Sequence, residues 1–577
     1  MSRTRNKRID GLMALALAAV TVLLLDVVVP QRDSQAEVAS AVAQAPVGGS
    51  WVCTAGVGGA NAVLSPIFGN NLDADDDSND SVALAVVPQA DEELSDDEDL
   101  SDDTQAGTYR PVARDAAGVE LVIARPDSQW DVVGTVLIRE FAAGVEVNRM
   151  SYDTAAASEI RYLVLDHADA SFVEVSWSGP PVTVSRIWSL PGDPIPATLA
   201  GGCQTASAYG FVAPGFSTAD GANVRLRIAN PYPSSASVSI RFFTPEGVEE
   251  PAVLSNLSIS PFSVYETVVN DVLPELDDVA AQIDVLAGRV AVEGSVFAAV
   301  TGGATRGMSL LPVLPRERSL VAELQDSDDA LGEPRYVHAS AAIFDTEAAR
   351  SWLWFTNVSA SAVRVDLVLH TTDGAAPPDG LSEVSIPPRS VRRIALSQTF
   401  PRGVTMAGVS ARTDSPAVYM GVGSDLSGGD QPRGIALQAG QSADHRWVLS
   451  GARSDRRSEQ VLITNVSEAD VSVDLWFHDG ESVSEPEELQ ARLIPAGTSK
   501  VIALDEFLIP GFGYTVFVRA PVPAVVVTSF GFTRGVTDEH LVLDAGIGSE
   551  RWLVRSQQLP IRHEPSLIRR LASRNGS

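Results

Sequence analysis

Three segments of the chain repeat the same landmarks at nearly the same spacing, and this constrains the fold more than any other feature. Each opens on an aromatic residue, Tyr209, Tyr336 or Trp447, and runs to a strand that ends in Asn. Those strands read Leu226-Arg-Ile-Ala-Asn230, Leu353-Trp-Phe-Thr-Asn357 and Val461-Leu-Ile-Thr-Asn465, with the Asn 21, 21 and 18 residues after the aromatic. A second alternating strand leads to a turn glycine, Gly247, Gly374 or Gly480, and then to Pro261, Pro388 or Pro495. Twenty-eight residues further on stand Arg289, Pro416 and Pro523. The last two copies share near-identical text, Arg412-Thr-Asp-Ser-Pro-Ala-Val418 and Arg519-Ala-Pro-Val-Pro-Ala-Val525.

A repeat of 100–110 residues is too long for a single propeller blade of about 40–50 residues or for a solenoid coil. It matches a self-sufficient sandwich of about seven strands. Asn at a strand end suits a tight turn, where its side chain bonds nearby backbone and tolerates positive φ. The recurrent Gly and Pro suit hairpins and edge positions. The expected fold is therefore all-β: tandem Ig-like antiparallel β-sandwich repeats after one N-terminal transmembrane helix.

The repeats set the boundaries. Sandwiches are expected at 203–315, 335–440 and 445–548, with a diverged copy at 51–200 that carries an acidic insertion at 71–105. Residues 31–50 read as a tether and 549–577 as a basic tail. Long helical periodicity is nearly absent, and the segment around Leu273–Leu286, which contains Pro274, reads as a loop with a turn of helix.

The N-terminus predicts the compartment. Arg3, Arg5, Lys7 and Arg8 precede an apolar run from Gly11 to Val29 that is broken only by Asp26, an export pattern with the basic end inside. Two readings stay open. The 19-residue run is close to the length of a membrane span, so it can anchor the chain in the cytoplasmic membrane through residues 11–29. Alternatively it is a signal peptide cut near Ala41-Val42-Ala43, which would release the chain. The anchor is preferred, and the rest of the chain is then extracytoplasmic. Outside the membrane, the two cysteines, Cys53 and Cys203, are expected to form a disulfide.

A net charge of −32 disfavours nucleic acid, which demands clustered Lys and Arg. Nine of the thirteen residues from Asp91 to Asp103 are acidic, and this reads as a solvated, disordered stretch. The run from Asp73 to Asp80 invites comparison with a calcium loop, but Ser78 and Leu84 stand where an EF-hand needs Gly and Glu. No metal or cofactor is expected.

The chemistry of catalysis is sparse. None of the seven histidines has zinc-site spacing and no Gly-x-Ser-x-Gly elbow occurs. Asp166-His167 and Asp444-His445 are adjacent pairs, while His370 and His478 occupy equivalent repeat positions before the turn glycine, which argues for a structural part. The Gly-rich run Gly421–Gly429 reads as a loop between strands. An enzyme is not expected. Trp352 and Trp354, on one strand face, are candidates for stacking on sugar, with core packing as the plainer alternative.

The Trp51-Val-Cys53 start, Cys203 and the Leu226-Arg-Ile-Ala-Asn230-Pro231 strand resemble the uncharacterised exported proteins of actinobacteria grouped by a domain of unknown function. The resemblance implies a cell-envelope setting, alongside polysaccharide assembly, and supplies no catalytic residues. The acidic insertion departs from the family pattern, and only Asn230 keeps the following Pro. The expected function is a non-catalytic extracytoplasmic envelope protein, a scaffold or spacer that binds other envelope proteins. The alternatives are a carbohydrate-binding array on cell-wall glycan and an unrecognised hydrolase.

Overall fold

A computed structural model describes residues 49–53 and, with interruptions of which 317–335 is the longest, residues 118–548. Residues 1–48, the acidic insertion and the basic tail lie outside the described residues, and with them the expectations about the N-terminal apolar segment and the calcium-like run. Among the described residues no helix is long and apolar enough to cross a membrane.

The all-β expectation holds, but the tandem Ig-like sandwich does not. The strands form eight small antiparallel sheets that pack face to face in a closed ring, an eight-bladed β-propeller. Blade 1 holds Gly118–Ala124, Ile160–Val164, Thr183–Leu190 and Ala197–Gly202; blade 2 holds Gly49–Cys53, Gly134–Ala142, Val145–Thr154 and Phe172–Ser178. Blade 3 holds Ala222–Asn230, Ser263–Val268, Ala291–Ala299 and Thr305–Leu311; blade 4 is built on Gly210–Phe216, Ala236–Thr244 and Val279–Ala287. Blade 5 holds Ala349–Asn357, Ser390–Ala395, Val418–Gly428 and Gln431–Ala439; blade 6 is built on Tyr336–Phe344, Val363–His370 and Met406–Thr413. Blade 7 holds Arg457–Asn465, Ser499–Ala503, Val525–Arg534 and Glu539–Ala545; blade 8 is built on Arg446–Arg453, Val471–His478 and Gly513–Arg519.

Each repeat therefore contributes two neighbouring blades, and its strands alternate between them. In the second repeat, Gly210–Phe216 goes to blade 4, Ala222–Asn230 to blade 3, Ala236–Thr244 to blade 4 and Ser263–Val268 to blade 3. This explains why repeat length misleads: about 105 residues is two ordinary blades, and two facing sheets bury the same inner face whether they stand alone or in a ring.

The second, outward face of each pair distinguishes the ring. Blades 4 and 5 share one core, in which Trp354 lies against Gly215 and Thr356 Oγ1 donates to the Pro214 carbonyl at 2.6 Å. Blades 6 and 7 share another, where Phe344 and Phe530 meet edge to face at 5.4 Å. Blades 2 and 3 meet through Phe141, Phe172, Ala229 and Ala291. Closure comes from blade 8 on blade 1: Val448, Phe517 and the partly buried Trp476 pack on Val122, Ala124 and Ile160. A strand enclosed on both faces loses its polar–apolar alternation, and every residue of Gly210–Phe216 is buried.

The odd blades reach further toward the axis. The Leu437 amide of blade 5 donates to Ser309 Oγ of blade 3 at 2.9 Å. A Cβ added at Gly201 of blade 1 would lie 2.1 Å from Leu310 Cδ1 of blade 3. Arg186 of blade 1 and Glu293 of blade 3 form an ion pair at 2.6 Å with both side chains buried. Cys53 and Cys203 form a disulfide between the innermost strand of blade 2 and the exit of blade 1, beside a two-way backbone bridge between Val52 and Gln204.

Candidate functional site

The repeated residues do structural work first. Asn230 Nδ2 donates to the carbonyls of Ser234, Ile259 and Ser260 at 2.8, 3.2 and 3.1 Å, and its Oδ1 accepts from the Tyr232 amide. Asn357 repeats this with Ser361, Ile386 and Pro387 at 2.7, 3.3 and 3.0 Å, and Asn465 with Ala469, Ile494 and Pro495 at 2.7, 3.1 and 3.2 Å. All three side chains are fully buried, and none of the three residues adopts positive φ. The amide thus ties a strand end to the outer hairpin of the partner blade, using an amide group's ability to donate and accept at once.

Trp352 and Trp354 come together, but inside the ring. Their rings meet edge to face at 5.3 Å between blades 4 and 5, and both are buried. Arg393 lies 4.4 Å over Trp352, and Trp354 Nε1 donates to Asp278 Oδ1 at 3.0 Å. Neither ring is an open platform for sugar. The Gly421–Gly429 run, expected to be a loop, is largely strand. A Cβ at Gly423 would fall 2.5 Å from Trp352 Cε2, so glycine there makes room for the indole. Burial pushes the nearby Asp425 carboxyl up to about 6 and raises Asp278, in each case against the pull of Arg393.

The described histidines are held by neighbours in the fold. His370 sits buried at the junction of blades 6 and 7, with Nδ1 3.1 Å from the Gly497 carbonyl and Nε2 2.8 Å from Ser410 Oγ, and burial lowers its pKa. Burial lowers His338 to about 4. His445 Nδ1 lies 3.0 Å from Asp444 Oδ1, which also accepts the His445 amide in a turn. Asp166-His167 lies outside the described residues. Among the described residues, no group of three or more His, Cys, Asp or Glu is placed to hold a metal ion.

The candidate site is a cleft of about 600 Å³ between blades 4 and 5. Its apolar lining is Phe243, Val248, Val358 and the exposed Leu286, and three guanidinium groups, Arg241, Arg316 and Arg389, line it as well. Asp284 organises two of them: Arg241 Nη2 donates to its Oδ2 at 2.7 Å, Arg316 Nη1 donates to its Oδ1, and Gln282 adds a bond at 2.7 Å. Arg316 also bonds the Tyr419 hydroxyl of blade 5. Glu250 lies 3.4 Å from Arg241. Arg389 is exposed, and its backbone has φ +49° in the turn after Pro388. Sequence reading missed this site because its residues come from five separated segments, none with a local motif. The available signal was the turn itself, where the third copy has Arg after Pro388 and the fourth has Gly497.

The architecture defines an eight-bladed β-propeller built from two-blade repeats, with a charged cleft at one junction. Residues 174–319 and 343–544, more than half of the chain, match the family model described as "Family of unknown function (DUF5719)", and the protein belongs to that family. No curated protein matches the chain. One similar solved structure, "Crystal Structure of Thermotoga maritima 1070", shares 17% identity over 19% of this chain and 97% of its own, at a TM-score of 0.17.

Proposed function

We propose that the protein is a non-catalytic extracytoplasmic scaffold of the cell envelope, a rigid ring that binds other envelope proteins at its rim and junctions. An actinobacterial setting is part of the proposal and rests on the Trp51-Val-Cys53 opening and the Asn230-Pro231 strand. The observation that carries the reading is ring closure, which buries both faces of the blades and leaves the rim, the hairpins and the junction cleft as surfaces to offer. The buried disulfide supports an oxidising compartment, since such bonds are rare where thiols are kept reduced.

The test is in-cell cross-linking of the full chain, followed by identification of the captured species, alongside incubation with purified cell-wall glycan. Reproducible cross-links to envelope proteins, with the glycan neither retained nor cleaved, are expected. Cleavage of the glycan would overturn the non-catalytic reading. Retention on glycan without protein cross-links would overturn the scaffold.

A further inference from the structure

The junctions between repeats can be compared at one equivalent turn. In the second repeat the turn residue is Phe262, with φ +53°; in the third it is Arg389, with φ +49°; in the fourth it is Gly497, with φ +67°. Each belongs to an odd blade and faces the even blade of the preceding repeat. Phe262 closes its junction by stacking on Phe141 of blade 2, with ring centroids 5.1 Å apart and planes within 3°. Gly497 closes its junction by backbone approach: a Cβ there would meet Ala375 Cβ at 2.9 Å, and its carbonyl bonds His370. The junction at Arg389 is left open as the cleft.

Positive φ is unfavourable for a residue with a Cβ, and glycine avoids that penalty. At Phe262 the conformation is compensated by an aromatic stack. At Arg389 no ion partner is present among the described residues, while Arg241 and Arg316 are already fixed on Asp284. Three guanidinium groups beside two carboxylates leave one positive charge in excess, on an acidic protein and next to the apolar lining of Phe243, Val248, Leu286 and Val358. Guanidinium groups recognise carboxylate and phosphate oxygens in pairs. Asp284 acts as a positioning residue that holds two of them in a fixed fork.

We propose that this cleft binds the acidic group of a small ligand, a carboxylate or phosphate attached to a compact, partly apolar body, with Arg389 as the capturing residue. The single excess charge favours a ligand with one or two acidic groups over a polyanion. This rests on the proposed binding ring but is separable from it.

The experiment titrates the full chain, in detergent, with glucuronate, glucose 6-phosphate and uncharged glucose by calorimetry, and repeats it with Arg389→Gly and Arg389→Gln. Saturable binding of at least one acidic probe is expected, with no binding of glucose. Whether glucuronate or glucose 6-phosphate binds more tightly identifies the acidic group. Arg389→Gly should weaken that binding tenfold or more while raising the melting temperature, because it relieves the positive φ. Arg389→Gln should weaken binding without that gain. A purely structural arginine would instead lower the melting temperature when replaced. Equal response to glucose and glucuronate, binding of none of the probes, or full binding by Arg389→Gly would overturn the proposal. Cross-links to envelope proteins that persist in Arg389→Gly would leave the scaffold reading standing while the cleft reading fell.

Discussion

Replacing Asn357 with Ala tests both the repeated amide and the unity of the ring. The substitution removes three donated bonds, to Ser361, Ile386 and Pro387, and leaves the Ser359 amide without its acceptor. At about 1 kcal/mol net for each of the four bonds, reduced because Ser361 and Pro387 are exposed and water can replace the amide there, the expected cost is about 3 kcal/mol. The shift in melting temperature depends on how much of the molecule unfolds with it. If a two-blade repeat of about 110 residues melted alone, the unfolding entropy of about 2.1 cal/mol/K per residue would convert that cost to about 13 °C. If the ring melts as one unit of about 430 residues, the same cost gives about 3 °C. Because neighbouring repeats share cores, the smaller shift is expected, in a single calorimetric transition. Asn465→Ala should match it closely, since Ser467 and Ser359 serve the two side chains alike, while Asn230→Ala should cost somewhat less because Tyr232 offers no such serine hydroxyl. Asn357→Asp should be worse than Ala, because it turns a carboxyl oxygen toward three carbonyls. A cost below about 0.5 kcal/mol would refute the account of the amide. A separate early transition displaced by about 13 °C would refute the shared cores as the source of unity.

Other expectations follow from the same packing. Loss of the disulfide in a Cys53→Ala, Cys203→Ala double variant opens a cross-link between residues 150 apart; the chain-entropy model puts the cost at about 5 kcal/mol, measured by urea unfolding. Phe517→Ala, at the closing junction, should cost about 3–5 kcal/mol and expose Val122 and Ala124, seen as new protease sensitivity in blade 1. Burial lowers the pKa of both His338 and His370, so below pH 6.5 the unfolded chain takes up protons that the folded chain refuses; their contribution to stability is full above 6.5 and falls with pH, for His338 down to about 4. Asp425 has the opposite sign, since its raised value near 6 makes its burial most costly above that pH. Asp425→Asn should therefore raise the melting temperature at pH 7.5 and lose that advantage at pH 4.

Local chemistry was legible in the sequence and closure was not. Asn230, Asn357 and Asn465 announced themselves because an amide that satisfies a strand end and a hairpin needs the same residue at the same offset in each copy. Cys53 and Cys203 were legible for a similar reason, as an even pair in a chain whose N-terminus reads as an export signal. The second buried face was harder to see. Trp352 and Trp354 read as candidates for a surface platform with core packing as the plainer reading, and only the facing strand decides between them. The decisive hint lay in Gly421 and Gly423, which read as a loop because glycine weakens strands. In the fold glycine is needed there: Gly423 receives Trp352, and a Cβ at Gly421 would press on Pro214 at 3.3 Å. The cleft was hidden for another reason. Arg241, Asp284, Arg316 and Arg389 are spread over about 150 residues, and the closed ring brings them together.

The alternation of strands between two blades has a consequence for how such a ring can change size. A propeller whose blades are each drawn from one continuous stretch can gain or lose a single blade by a simple duplication or deletion. Here no continuous stretch encodes a single blade, because cutting after Ala236–Thr244 would leave blades 3 and 4 both half built. The smallest heritable step is the pair, so rings of this plan come in even numbers. Each step must also create or remove one junction of the type that holds Phe262, Arg389 or Gly497. A new repeat thus arrives with a vacant turn position beside its neighbour, and whether that position is sealed or left open is decided by one residue.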